Sequence, residues 1–221
     1  MWRPIKRPDI QVNPVARNAA VVACIVVYAL LVHHVNASGQ VSTLGAILAL
    51  LPIAATGLAL MRNPATRGSG LLVLLVVGLV AWRAWPQLER HAALLFWLQD
   101  VGLMLFLLLG FGRTLRAGCK PLCVHFAEMM HGPLSPAHAA YARQATLAWT
   151  LFFAAMAIVS TLLFFLAPLA AWSAFANFLT LPLVALMFVA EFLVRRRVLN
   201  EAQGSPLDAV RAYLNRSAGA D

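Results

Sequence analysis

The stretch KPLCVHFAEMMHG, residues 120–132, gathers a cysteine, two histidines and a glutamate into thirteen positions, and a second cysteine, Cys119, stands just before it. Thiolates and imidazoles are the ligands zinc prefers, and Cys119 and Cys123 fall within the spacing of paired zinc thiolates. Cys119, Cys123 and His125 are therefore weak metal candidates. Two histidines that clasp a metal from one helix stand four residues apart, whereas His125 and His131 stand six apart, with Glu128 between them. The competing reading is simpler. Leu122, Phe126, Met129 and Met130 recur at i, i+4, i+7 and i+8, which is one apolar face of a helix. Pro121 suits a first helical position and Gly132-Pro133 ends the run. The favoured expectation is a short amphipathic helix whose cysteine and histidine side is its polar face. It calls for no cofactor.

Which solvent this stretch sees depends on the elements around it. Of the 221 residues, 62% are hydrophobic and 11% charged, too apolar for a soluble domain of this size. A membrane-spanning helix needs about 20 mostly apolar residues. Six stretches qualify, at about 19–35, 41–61, 70–85, 92–112, 144–167 and 172–194. The expected fold is an all-α polytopic transmembrane bundle of about six spans, with short amphipathic interfacial helices. A basic segment, 1–18, precedes one integral membrane domain, 19–197, and a tail, 198–221, follows it. With both termini cytoplasmic, fifteen of the seventeen Lys and Arg lie inside, and only Arg83 and Arg90 lie outside. The net charge of +9 thus reads as topology and as affinity for anionic headgroups, not as nucleic-acid binding. The long cytoplasmic connection is 113–143, where Ser135-Pro136 opens a second short helical piece with His138 and Tyr141 on a solvated face. The early run AAVVACIVVYALLV followed by VNASG also fits a signal peptide cleaved near Ala37. An uncleaved first helix is preferred, because the next span follows within a few residues.

Inside the spans one acid stands out. Asp100 lies about nine residues into the fourth span, on the order of 13 Å from the outer interface, where a charge is costly. No Lys or Arg reaches a comparable depth. Gln99, Asn177 and Thr180 are its candidate polar partners. A proton relay or substrate contact and a plain interhelical clasp are both open at this point. Glu191 and Arg195, four apart at the cytoplasmic end of the last span, suit an interfacial ion pair. Trp82, Trp85 and Trp172 fall where an interfacial aromatic belt belongs. In the tail, SPLDAVRAYLNR places Leu207, Val210 and Leu214 on one helical stripe. The chain holds no paired catalytic carboxylates, nucleophile elbow, phosphate-binding glycine loop or HExxH motif, so the reading leans away from an enzyme.

KPL at 120–122, LAWTLFF at 147–153 and LAPLAAWSAFANF at 166–178 resemble the septation protein A (YciB) family over about residues 113–197. The fuller loop FAEMMHGPLSPAHAAYARQATLAW resembles an uncharacterised branch of it. The resemblance implies a multi-pass protein of the bacterial inner membrane that supports envelope biogenesis or septation as a non-catalytic scaffold. It implies other envelope proteins as partners and carries over no catalytic residue. The alternative it suggests is a small transporter or accessory enzyme for a lipid-like, aryl-polyene-type acyl substrate, acting through Asp100.

Overall fold

The computed structural model describes residues 14–202. Among them the chain is helical, with no strand. The elements are α1 (Pro14–Ser38), α2 (Thr43–Met61), α3 (Arg67–Arg90), α4 (Ala92–Arg113), α5 (Leu122–His131), α6 (Pro136–Leu166), α7 (Leu169–Ala174), a π-helical turn (Phe175–Leu179) and α8 (Thr180–Ala202). Among the described residues six stretches are long and apolar enough to cross a membrane: Asn18–Ser38, Thr43–Met61, Arg67–Arg90, Ala92–Arg113, Pro136–Leu166 and Leu169–Val198. Their outward faces carry side chains such as Leu72, Phe106 and Leu181, which are 63%, 73% and 75% exposed. Helices apolar on their outer as well as their inner faces belong in hydrocarbon, where every backbone group must be satisfied internally. This is a multi-pass membrane protein.

One local expectation changes. The segment begun by Ser135-Pro136 is not a separate short helix but the first turns of α6, which runs unbroken for 31 residues. Ser135 caps it, its Oγ accepting the His138 backbone N–H at 3.4 Å and lying 2.7 Å from His138 Nδ1, while Pro136 occupies the first turn. The proposed tail helix around 205–214 lies outside the described residues.

Contacts divide the chain between Ala92 and Ala93 into two compact units. In the first, α2 and α3 form the main packed pair. Gly57 and Gly70 are both buried at their crossing, and a Cβ at Gly70 would come within 2.6 Å of the Gly57 carbonyl oxygen. Small residues are what lets two backbones approach so closely. Pro52, inside α2, has no N–H to offer the Leu48 carbonyl one turn earlier. The Tyr28 hydroxyl of α1 donates to that carbonyl instead, at 3.2 Å. Pro86 acts similarly on α3, where the helix kinks at Ala84 (φ −122°, ψ 24°). Beyond the kink, Trp85 Nε1 and Thr43 Oγ1 both donate to Glu89 Oε1, at 2.9 and 2.6 Å.

In the second unit, Val101 and Met104 of α4 pack with Trp149, Phe153, Met156 and Ala157 of α6 and with Phe175. Trp149 and Phe153 lie 5.6 Å apart, and Phe111 closes on both. The chain turns at Pro168 into α7 and then widens into the π-helical turn. Pro182 follows three residues later, where its ring crowds the preceding turn and its missing N–H interrupts the α ladder. Thr180 donates to the Phe175 carbonyl through both its backbone N–H and its Oγ1, so the widened turn stays satisfied.

Candidate functional site

Asp100 of α4 meets Ser160 of α6 and Trp172 of α7. Ser160 Oγ donates to Asp100 Oδ2 at 2.5 Å and accepts the Trp172 Nε1–H at 3.0 Å. An indole nitrogen can only donate, so Ser160 accepts from Trp172 and keeps its own proton for the carboxyl group. Ser160 and Trp172 are each 1% exposed, and Asp100 is partly buried. Ser160 lies six residues before the end of α6, about 9 Å along the axis. Asp100 lies eight residues after the start of α4, about 12 Å in. The antiparallel course of α4 and α6 brings these two depths level.

A ring cluster walls the group. Phe164 meets Trp172 edge-on at 5.1 Å and stacks on Trp97 at 5.4 Å. Trp97 lies three residues before Asp100, on the same side of α4. Its indole nitrogen is enclosed and has no hydrogen-bond partner among the described residues. Trp172, expected in an exposed aromatic belt, is instead a core residue. Trp82 is the one at the surface, 81% exposed.

Chemically, a serine that donates to a carboxylate resembles a nucleophile with its base. Among the described residues no histidine or lysine is hydrogen-bonded to this pair, and little can approach an Oγ on a residue 1% exposed. The arrangement binds three helices together. The other expected partners point elsewhere: Asn177 Nδ2 donates to the Ser173 carbonyl and Oγ, at 2.9 and 3.1 Å, and Thr180 turns back to Phe175. Gln99 is half-buried beside Asp100. Sequence reading missed Ser160 and Trp172. The available signal was depth, since both lie near the turn that faces the first half of α4.

At the basic end of this unit, α5 is tied down by hydroxyl groups. Thr114 Oγ1 accepts the Leu122 N–H at 3.0 Å while donating to the Phe111 carbonyl at 2.7 Å. Thr146 Oγ1, on a fully buried residue of α6, accepts the Cys123 N–H at 3.2 Å. Two of the free N–H groups that open a helix are thereby satisfied from outside it. Val124 is buried, Leu122 and Cys123 are half-buried, and Phe126 and Met129 are 51% and 68% exposed. The predicted apolar face therefore does not supply the docking side, which belongs to Cys123 and Val124. The side chains of Met130 and His131 lie outside the described residues. Glu128 pairs with Lys120. Burial pushes the Cys123 thiol above the ordinary cysteine range and Glu191 adds to this, while the Thr146 hydrogen bond pulls the other way. Cys119 and His125 are exposed, and among the described residues no three His, Cys, Asp or Glu side chains gather as a metal-holding group.

Glu191 Oε1 lies 4.0 Å from Arg195 Nε. Tyr141, expected on a solvated face, is buried, and its hydroxyl donates to the Glu191 carbonyl at 2.9 Å and to Oε1 at 3.1 Å. Glu191 thus joins α6 to α8 as well as holding an arginine. No protein-family model, curated protein or solved structure matches this chain.

Proposed function

We propose that the chain is a non-catalytic multi-pass protein of a bacterial inner membrane, with both termini in the cytoplasm, that supports envelope biogenesis or septation by holding membrane-associated machinery. The observation that carries this reading is the hydrogen bonding of the Asp100–Ser160–Trp172 group: the acid is bound to a serine that is 1% exposed. A relay or transport acid needs an open path for its proton or substrate, and a clasp needs none. The exposed Phe126 and Met129 on α5 supply an apolar stripe for the membrane interface or for another protein of the assembly. The resemblance to the septation protein A family supports the envelope setting.

A second reading, the handling of a lipid-like substrate, is favoured by the unpartnered Trp97 indole N–H near Asp100. The separating experiment compares whole-lipid extracts of the native host, a deletion strain, and the deletion carrying wild type or Asp100→Asn. An amide accepts the Ser160 proton as a carboxylate does. The scaffold reading therefore expects unchanged lipids throughout and full rescue of any envelope defect by Asp100→Asn. A lipid lost on deletion, restored by wild type and not by a normally expressed Asp100→Asn, would replace it with the substrate-handling reading.

A further inference from the structure

On α6, Ala140, Arg143, Gln144 and Leu147 recur at i, i+3, i+4 and i+7, and together with Leu115 they line a groove of about 250 Å³. Leu115 comes from the turn that follows α4, so the groove lies at the basic end of the second unit. Its chemistry is two-sided. Leu115, Ala140 and Leu147 are apolar, while Arg143 brings a guanidinium and Gln144 a carboxamide. Arg143 is exposed and has no ion pair or hydrogen bond among the described residues. Both acids that could neutralise it are engaged, Glu128 with Lys120 and Glu191 with Arg195 and Tyr141. Residues 113–197 carry seven Lys and Arg against these two acids, a net of +5.

The groove is too small to enclose a lipid, and it does not need to. From Leu147 an exposed apolar track continues along α6 through Leu151 and Ile158, which are 61% and 58% exposed. It leads away from the cation and into the span. A forked cation at the head, a carboxamide beside it and an apolar track leading from it match a phosphate group joined to an acyl chain.

The geometry points to a bound anionic phospholipid at this groove, its phosphate on Arg143 and Gln144 and one acyl chain along Leu147 and Leu151. This site is independent of the scaffold reading. It requires only that the second unit spans a bilayer, so either can fail without the other.

The test is native mass spectrometry of the full chain, released from detergent after equilibration with equimolar phosphatidylglycerol and phosphatidylcholine. One phosphatidylglycerol is expected to be retained in preference. Arg143→Gln should weaken its binding about five-fold, and Arg197→Gln, which removes the same charge from outside the groove, should leave it unchanged. Leu147→Trp fills the groove without altering charge and should also weaken binding. It decides alone if Arg143→Gln aggregates. Equal retention of phosphatidylcholine, equal losses for Arg143→Gln and Arg197→Gln, or wild-type binding by Leu147→Trp would each overturn the site. Displacement of the lipid by inorganic phosphate would overturn it too, by making the groove a free-anion site.

Discussion

Ser160 works in both directions at once, accepting the Trp172 N–H and donating to Asp100. Ser160→Ala would leave an indole N–H and a carboxyl oxygen without partners in a low-dielectric setting. The expected cost is about 1–2 kcal/mol, read as an earlier midpoint in denaturant titration of the purified protein. Asp100→Asn keeps an acceptor in place and should cost less than half as much. A Ser160→Ala protein as stable as wild type would mean that the group holds nothing together. Among the thiols, Cys123 is half-buried and pushed up by burial, whereas Cys119 is exposed. Because the thiolate is the reacting form, at pH 8 iodoacetamide should modify Cys119 several-fold faster than Cys123. The lag of Cys123 should shrink as pH rises, since more of the raised thiol then ionises. Equal rates at pH 8 would contradict the docked position of α5.

At the scale of elements, α5 depends on two threonines that lie outside it. Thr146→Val keeps the side-chain shape and removes the acceptor of the Cys123 N–H. Loss of such a cap costs about 1 kcal/mol, so at a pH high enough to ionise both thiols Cys123 alkylation should accelerate about five-fold while Cys119 stays unchanged. No change in the Cys123 rate would show that α5 is held by other contacts. The α2–α3 pair depends on close approach. Gly70→Ala would place a Cβ 2.6 Å from the Gly57 carbonyl oxygen and 2.8 Å from the Met61 nitrogen. Both neighbours are backbone, so the helices must separate, at a cost of about 1–3 kcal/mol. Gly78→Ala, on the same helix with open space around its Cβ, should be neutral or slightly stabilising. If the two variants unfolded together, the crossing would not rest on Gly70. The start of α6 was legible as a Ser-Pro cap. That the cap opens a helix of 31 residues was not, because His138, Arg143 and Gln144 interrupt the apolar run that marks a span.

For the whole molecule, an even number of spans returns the chain to the side where it began. In the proposed topology that side is the cytoplasm, the side on which the positive-inside rule puts the excess of Lys and Arg. A cysteine introduced at Gln40 should react with an impermeant maleimide on intact cells bearing a permeabilised outer membrane. Native Cys119 should react only after the inner membrane is opened. The reverse pattern would invert the topology and move Arg143 and its groove to the opposite leaflet.

The existence of the spans, most of their ends and the helical character of 122–131 were determined by the sequence, since hydropathy, helix caps and helix-ending glycine are local properties. The partners were decided by the tertiary structure. Spans that are apolar on all sides carry no amphipathic signal to say which face packs inward. Nothing local therefore marks Ser160 for Asp100, sixty residues away, or Tyr141 for Glu191, fifty away. The same limit misplaced Trp172. Tryptophan near a span end suits the membrane interface, but the buried Ser160 hydroxyl accepts its indole N–H, and a polar group in hydrocarbon goes where its hydrogen bond is met.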